Sequence, residues 1–199
     1  MIDIRLYQLE QFYARWQTKV DTYGISNLED VYDKFSSQYI IFNSLYRTLE
    51  AILLEKNKLT SIQGLKFRSK KKNEVFDSNA ATVLVANYLD DSSANIIAKL
   101  TNEIQIYIDI IENNRFHFDI KSELTSENKN KNDILALKEL RHGNSTSKLT
   151  SLLTILYRIR CNLFHGTKGF FNEEREVLIP AINSLSVINS ILLNAIKQE

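Results

Sequence analysis

Apolar residues recur at steps of three and four along most of the chain, and this period constrains the fold more than any other feature of the sequence. Such steps follow one face of an α-helix. The clearest case is the continuous apolar stripe between Ser147 and His165, formed by Leu149, Leu152, Leu153, Leu156, Ile159 and Leu163. Glycine (5) and proline (1) are scarce among the 199 residues, which favours long helices over a sheet with many turns. We predict an all-α fold.

The same period predicts helices before and after this stripe. They are Ile4 to Val20, a long helix from an N-cap at Asn27 to Glu55, Ala80 to Leu89, Ile96 to Ile111, and a last helix that begins at Glu173 and Glu174. The period is lost over 56–79 and over most of 113–144, where only Ile134 to Leu140 has helical spacing, so both segments are predicted as long polar loops. We expect residues 1–199 to form a single helical bundle with an additional N-terminal helix.

Composition and charge limit the classes of function. A formal net charge of +1 excludes a protein that coats nucleic acid through its overall charge, so any RNA contact must be local. Cys161 is the single cysteine and cannot form an internal disulfide, and the start of the chain lacks a secretory pattern, which together indicate a cytoplasmic protein. Polar residues interrupt the apolar stretch Ile182 to Ile196, so we expect no membrane span. No cluster has metal-ligand spacing, so no metal or cofactor is expected.

Two polar sets meet at the end of the stripe. On a helical wheel Arg160 falls among the apolar residues, beside Leu149 and Leu156, where an uncompensated cation costs several kcal/mol. Arg160 is therefore expected to lie where the bundle opens or where an anion arrives. Arg158, Asn162 and His165 fall together on the opposite side of the helix. On this polar side Arg158 is interpreted first as a solvated arginine and second as a substrate contact. A distortion before Gly166 would let Arg160 and His165 face one cleft.

The run from Tyr157 to Lys168 resembles the signature of the HEPN superfamily of small helical ribonucleases, an Arg, four to six residues and a His at a helix end. Arg160 and His165 fit the four-residue spacing, and Arg158 and His165 fit the six-residue spacing. Cys161 occupies the position where the family usually has a polar residue. Residues 42–50 resemble an early helix of the family more loosely, as does the acidic start of the last helix.

The resemblance implies a HEPN-type bundle and metal-independent RNA cleavage, in which the ribose 2′-hydroxyl attacks the adjacent phosphorus and a 2′,3′-cyclic phosphate remains. His165 would move a proton near neutral pH, Arg160 would stabilise charge on the phosphoryl oxygens, and Asn162 would orient either group. The residues expected to contact the substrate are Arg158, Lys168 and Tyr157.

The resemblance also implies partners. We expect single-stranded or tRNA-like RNA as substrate, a homodimer with the helix from Ser147 to His165 near its axis, and a role as a toxin, abortive-infection or defence effector that an antitoxin or nucleotidyltransferase accompanies. One alternative is a catalytically inactive HEPN-like bundle that binds RNA or acts as an adaptor. Another is a helical protein-interaction domain with a structural Arg-His pair. The basic run from Lys66 to Lys72 is interpreted as a solvated loop.

Overall fold

The computed structural model describes residues 2–68, 73–113, 115, 126–164 and 174–199. Its helices are α1 (Ile2–Thr22), α2 (Leu28–Glu55), α3 (Asp77–Asn79), α4 (Val85–Tyr88), α5 (Asp90–Lys99), α6 (Thr101–Glu112), α7 (Ser126–His142), α8 (Ser145–Phe164) and α9 (Glu174–Ile196). A 3₁₀ turn covers Leu59–Ser61, and a π turn over Ala80–Leu84 joins α3 to α4. The described residues include no strand, only an isolated bridge between Phe67 and Val75. The predicted all-α class is confirmed.

Helix α8 lies at the centre of the bundle. It packs against α4, α5, α7, α9 and the π turn, and none of its described side chains is exposed. The apolar stripe predicted from sequence is buried from Leu149 to Ile159, with Leu149 and Leu156 fully inaccessible, and its last member Leu163 is half-buried. Among the described side chains of α8, the half-buried ones are therefore the most accessible.

Helix α2 carries an aromatic ladder that ends near the last turns of α8. The predicted N-cap of this helix is confirmed, because the side-chain oxygen of Asn27 accepts the backbone N–H of Asp30 at 2.7 Å. The ladder residues follow at steps of three and four, and neighbouring ring centres are 6.0, 5.7 and 5.3 Å apart. They are Phe35, Tyr39, Phe42 and Tyr46. Tyr39 and Tyr46 thus lie on a rigid helix face.

Two segments differ from the sequence prediction. Most of 113–144 was predicted as loop, but α7 runs over Ser126–His142. Helix α7 is mostly polar because only a narrow strip of it, including Ala136 and Leu140, is buried against α6 and α8. Its apolar periodicity is therefore weak, and tertiary contacts supply most of its stability. The predicted helix over 96–111 is divided at Leu100, with α5 on one side and α6 on the other.

The segment between α2 and α3 is fixed to α2 by Glu50. This buried carboxylate accepts the backbone N–H of Val75 at 2.8 Å and pairs with Arg47 at 2.7 Å. The helix that follows begins at Asp77, three residues before the predicted start at Ala80. Within the basic run, Arg68 forms an exposed ion pair with Glu74, whereas residues 69–72 lie outside the described residues.

By length and composition α9 is apolar enough to cross a membrane, although the sequence prediction counted its polar residues as interruptions. In this fold α9 packs against α2 and α6. Its Asn189 amide is buried and donates to the backbone oxygen and to Oε1 of Gln38, at 3.0 and 2.8 Å. Of the apolar window of α9, 56% is buried inside the bundle, so packing explains at least that part of its apolar composition.

Candidate active site

The predicted motif spans the end of α8. Tyr157, Arg158, Arg160 and Asn162 lie on its last two turns, whereas His165 and Lys168 lie outside the described residues, as does Gly166. The structure does not place the four described residues together. Tyr157 and Arg160 are near α2 and α3, and Arg158 is near α7.

Arg160 is half-buried against an aromatic ring. Its guanidinium carbon is 5.8 Å from the ring centre of Tyr39, and its Nη1 is 3.9 Å from the sulfur of Cys161. Burial lowers the pKa of Arg160, but Cys161, Tyr39 and the nearby carboxylate of Asp77 raise it by more, so the pKa lies above its ordinary value. Arg160 is therefore a permanent cation, stabilised in part by the face of Tyr39.

Asp77 contacts Tyr157, which lies one turn before this arginine on α8, although the sequence analysis did not identify Asp77. Its Oδ1 accepts the Tyr46 hydroxyl at 2.8 Å and Nη2 of Arg47 at 2.6 Å. Its Oδ2 accepts the Tyr157 hydroxyl at 3.2 Å. One carboxylate thus joins α2, α3 and α8. We refer to Tyr46, Arg47, Asp77, Tyr157 and Arg160 as the Asp77 cluster.

The tyrosines around Asp77 are neutral hydrogen-bond donors. Burial is the main cause that raises the pKa of Tyr46 and Tyr157 above the ordinary value, and the charge of Asp77 adds to it in both cases. Burial likewise raises the pKa of Tyr39. At neutral pH the phenols of Tyr46 and Tyr157 therefore keep their protons. The hydroxyl of Tyr46 lies between two acceptors, Oδ1 of Asn43 and Oδ1 of Asp77, and that of Tyr157 has Cys161 as a second partner beside Asp77.

Arg47 brings a second guanidinium into the cluster. Its Nη1 is 2.7 Å from Oε2 of Glu50 and its Nη2 is 2.6 Å from Asp77, so carboxylates hold it from two sides. The guanidinium carbon is 5.4 Å from the ring centre of Tyr46. The side chain is 39% exposed. Arg47 thus has a fixed orientation and also reaches solvent.

Arg158 differs from its sequence prediction. Its side chain is only 21% exposed, and its Nη1 lies 3.5 Å from Oδ1 of Asp133, a carboxylate on α7 that is 5% exposed. The prediction of a solvated arginine is therefore wrong, because α7 covers this face of α8. Asn162, predicted on the same polar face, is buried as well, at 1% exposure. Its side-chain amide is therefore shielded from solvent near the end of α8.

An open groove of about 530 Å³ runs between α7 and α8. Small polar side chains of α8 line it and lead to Arg158; among them are Ser147, Thr150, Ser151 and Thr154. The hydroxyls of Thr150 and Thr154 donate to backbone carbonyls one turn earlier in α8, so they offer acceptors to the groove. Neither Arg160 nor Asp77 lines this groove.

Within the described part of the chain, no group of three or more His, Cys, Asp or Glu side chains is placed to hold a metal ion. No family model, curated protein or solved structure matches this chain. The likeness to the HEPN superfamily therefore rests on the residues of the motif.

Proposed function

We propose that the chain is a metal-independent endoribonuclease of the HEPN type. The observation that carries this proposal is Arg160, a permanent cation held half-buried between Tyr39 and Cys161 on the last turns of α8. Four residues separate it in sequence from His165. A guanidinium that is already oriented can stabilise charge developing on a phosphoryl group without reorganising at the moment of reaction.

The proposed reaction needs one base and one cation. His165 accepts the proton of the ribose 2′-hydroxyl. At the same time the 2′-oxygen forms a bond to phosphorus, and the bond between phosphorus and the 5′-oxygen breaks. The 5′-oxygen takes up a proton from water, which leaves a 5′-hydroxyl and a 2′,3′-cyclic phosphate, and His165 returns its proton to the solvent. Arg160 stabilises the negative charge on the non-bridging oxygens during this step.

The surroundings of the other motif residues refine their proposed roles. Asn162 is buried, which favours orienting a neighbouring group over touching RNA. Arg158 is paired with Asp133, so Arg160 is the better candidate for the catalytic arginine. Tyr157, half-buried beside Cys161, remains a candidate substrate contact, and Lys168 does so from the sequence alone.

Cleavage in a chelator tests the mechanism. Incubation of the full chain with total RNA in excess EDTA is expected to produce fragments with 5′-hydroxyl and 2′,3′-cyclic phosphate ends, because neither proposed group needs a metal. The new 5′ ends should accept phosphate from polynucleotide kinase without prior dephosphorylation. His165→Ala protein, purified in the same way, serves as the control for contaminating nucleases. Activity that disappears in EDTA and returns with magnesium contradicts the mechanism.

We also expect a homodimer, since the resemblance implies that two helix ends meet across a two-fold axis. Light scattering at micromolar concentration should give twice the 23.1 kDa of one chain. A standard interface would bury about 1,600 Å² in total, and it would have to include surfaces beyond α8, which is enclosed in the bundle. A stable monomer that still cleaves RNA would refute the dimer and leave the chemistry in place.

One observation favours a second candidate, a HEPN-like bundle that binds RNA without cleaving it. Cys161 replaces the usual polar residue, and its sulfur is a weak acceptor for Arg160. Incubation with a labelled oligonucleotide separates the candidates. An RNA-binding module binds the oligonucleotide without cutting it, whereas a helical protein-interaction domain neither binds nor cuts it. If the chain is a ribonuclease, we propose that it acts in the cytoplasm as a toxin or defence effector, with an antitoxin or nucleotidyltransferase as its partner.

A further inference from the structure

The carboxylate of Asp77 connects elements that are far apart in sequence. Its partners Arg47 and Tyr157 are 30 and 80 residues away. Tyr157 precedes Arg160 by one turn of α8, so the hydrogen bond from its hydroxyl to Asp77 ties the arginine's own turn to the rest of the cluster. The charge of Asp77 is also one of the causes that raise the pKa of Arg160, after the contributions of Cys161 and Tyr39.

Asp77 is itself held in place by contacts on both sides. Two residues before it, the backbone N–H of Val75 donates to buried Glu50, and Arg47 bridges Glu50 and Asp77. Three residues after it, the π turn over Ala80–Leu84 packs against α2 and α8. π turns within helices occur often at functional sites. The carboxylate is therefore fixed before any substrate arrives.

A negative charge at this position has a cost in a site that binds RNA. The carboxylate is 29% exposed and lies near the guanidinium that is proposed to bind a phosphate, so it repels the incoming phosphodiester. Losing this charge should then favour RNA binding, even if it disturbs the arrangement of the site.

We infer that Asp77 is a positioning residue of this site, which holds Tyr157 and Arg160 in their working orientation without touching the reacting atoms. The kinetic part of this inference rests on the proposed function, whereas the structural part does not. The experiments below therefore include one readout that needs no cleavage.

Asp77→Asn preserves the shape of the side chain and removes its charge. We expect kcat to fall about 10- to 100-fold, the range for a misplaced catalytic group, while KM stays the same or decreases because repulsion of the substrate is lost. Asp77→Glu keeps the charge and both acceptor oxygens and should recover part of kcat. A residue with a merely structural role would not separate kcat from KM in this way.

Asp90→Asn is the matched control. Asp90 contacts Thr146 at the start of α8, about 21 Å along the helix from Arg160 at 1.5 Å per residue. It is another carboxylate that ties α8 to a neighbouring helix, but it lies far from the Asp77 cluster. We expect wild-type kcat and KM from this variant.

Thiol labelling provides the second readout, because Cys161 is the single cysteine of the chain and lies against Arg160. Asp77→Asn should raise the rate of its reaction with a maleimide about fivefold, as expected when a charge-assisted hydrogen bond no longer opposes local opening. Tyr157→Phe breaks the same bond from the other side and also removes the hydrogen bond of this hydroxyl with Cys161, so its labelling rate should rise at least as much as that of Asp77→Asn. The double variant should label no faster than the faster of the two single variants, and Asp90→Asn should label like the wild type.

The outcomes separate the two proposals. If the wild type does not cleave RNA, the proposed function fails and the labelling rates still decide the role of Asp77. If Asp77→Asn retains both the kcat and the labelling rate of the wild type, the inference is overturned. If Asp77→Asn does not fold, Tyr157→Phe takes its place, and a wild-type labelling rate in that variant overturns the inference.

Discussion

Arg160→Ala is expected to reduce RNA cleavage by a hundredfold or more while the chain stays folded. Loss of a preorganised donor to a developing oxyanion typically costs about 3 to 4 kcal/mol of transition-state stabilisation. The fold should tolerate the change, because the contact of Arg160 with the ring of Tyr39 contributes only about 0.5 to 1 kcal/mol at a partly exposed site. Single-turnover rates on a fixed RNA, with the melting temperature as the check of folding, measure both effects.

Arg160→Lys and Arg115→Ala complete this experiment. The lysine keeps the charge but not the planar fork, so an intermediate rate is expected. Arg115 is an exposed arginine paired with Glu176 on α9, and its removal should leave the rate unchanged. His165→Ala should be as inactive as Arg160→Ala. Normal cleavage by Arg160→Ala, together with a folded and inactive Arg158→Ala, would assign catalysis to the six-residue spacing.

The parts of the fold that depend on local sequence were predictable. The N-cap of α2 and the buried stripe of α8 follow from residues within a few positions of one another. Helix α7 was predictable only in part: the sequence shows helical spacing over Ile134 to Leu140 alone, because only a narrow apolar strip faces the bundle and packing supplies most of the helix's stability. Because α7 was taken for a loop, the covered face of α8 was taken for a solvated one.

The same limit applies to the candidate site. The helical period placed Arg160 among apolar residues, where burying a cation is energetically unfavourable. It did not reveal that the ring of Tyr39 packs against the guanidinium. Asp77 lies at the end of a segment without periodicity, and its partners are dispersed along the chain. The only local signal was the looser resemblance of residues 42–50, which include Tyr46 and Arg47.

Arg158→Ala is expected to destabilise the fold rather than only weaken RNA binding. Its partner Asp133 is 5% exposed, and removing one member of a buried ion pair typically costs about 3 to 5 kcal/mol because the other charge stays behind. Arg158 is itself 21% exposed and 3.5 Å from the carboxylate, so solvent screening reduces the expected loss to about 2 to 3 kcal/mol. Urea denaturation followed by circular dichroism measures the free energy of unfolding.

A second substitution shows whether Arg158→Ala loses stability because the charge of Asp133 has lost its partner or because packing is lost. Asp133→Asn in the Arg158→Ala background removes the buried carboxylate charge that has lost this arginine, so the double variant should be more stable than Arg158→Ala alone. If Arg158→Ala unfolds like the wild type and only its RNA affinity falls at higher salt, the arginine is a phosphate contact and the pair is incidental. Cleavage by Arg158→Ala must therefore be measured at a temperature where the variant is folded, because inactivity through unfolding would otherwise be mistaken for loss of a catalytic arginine.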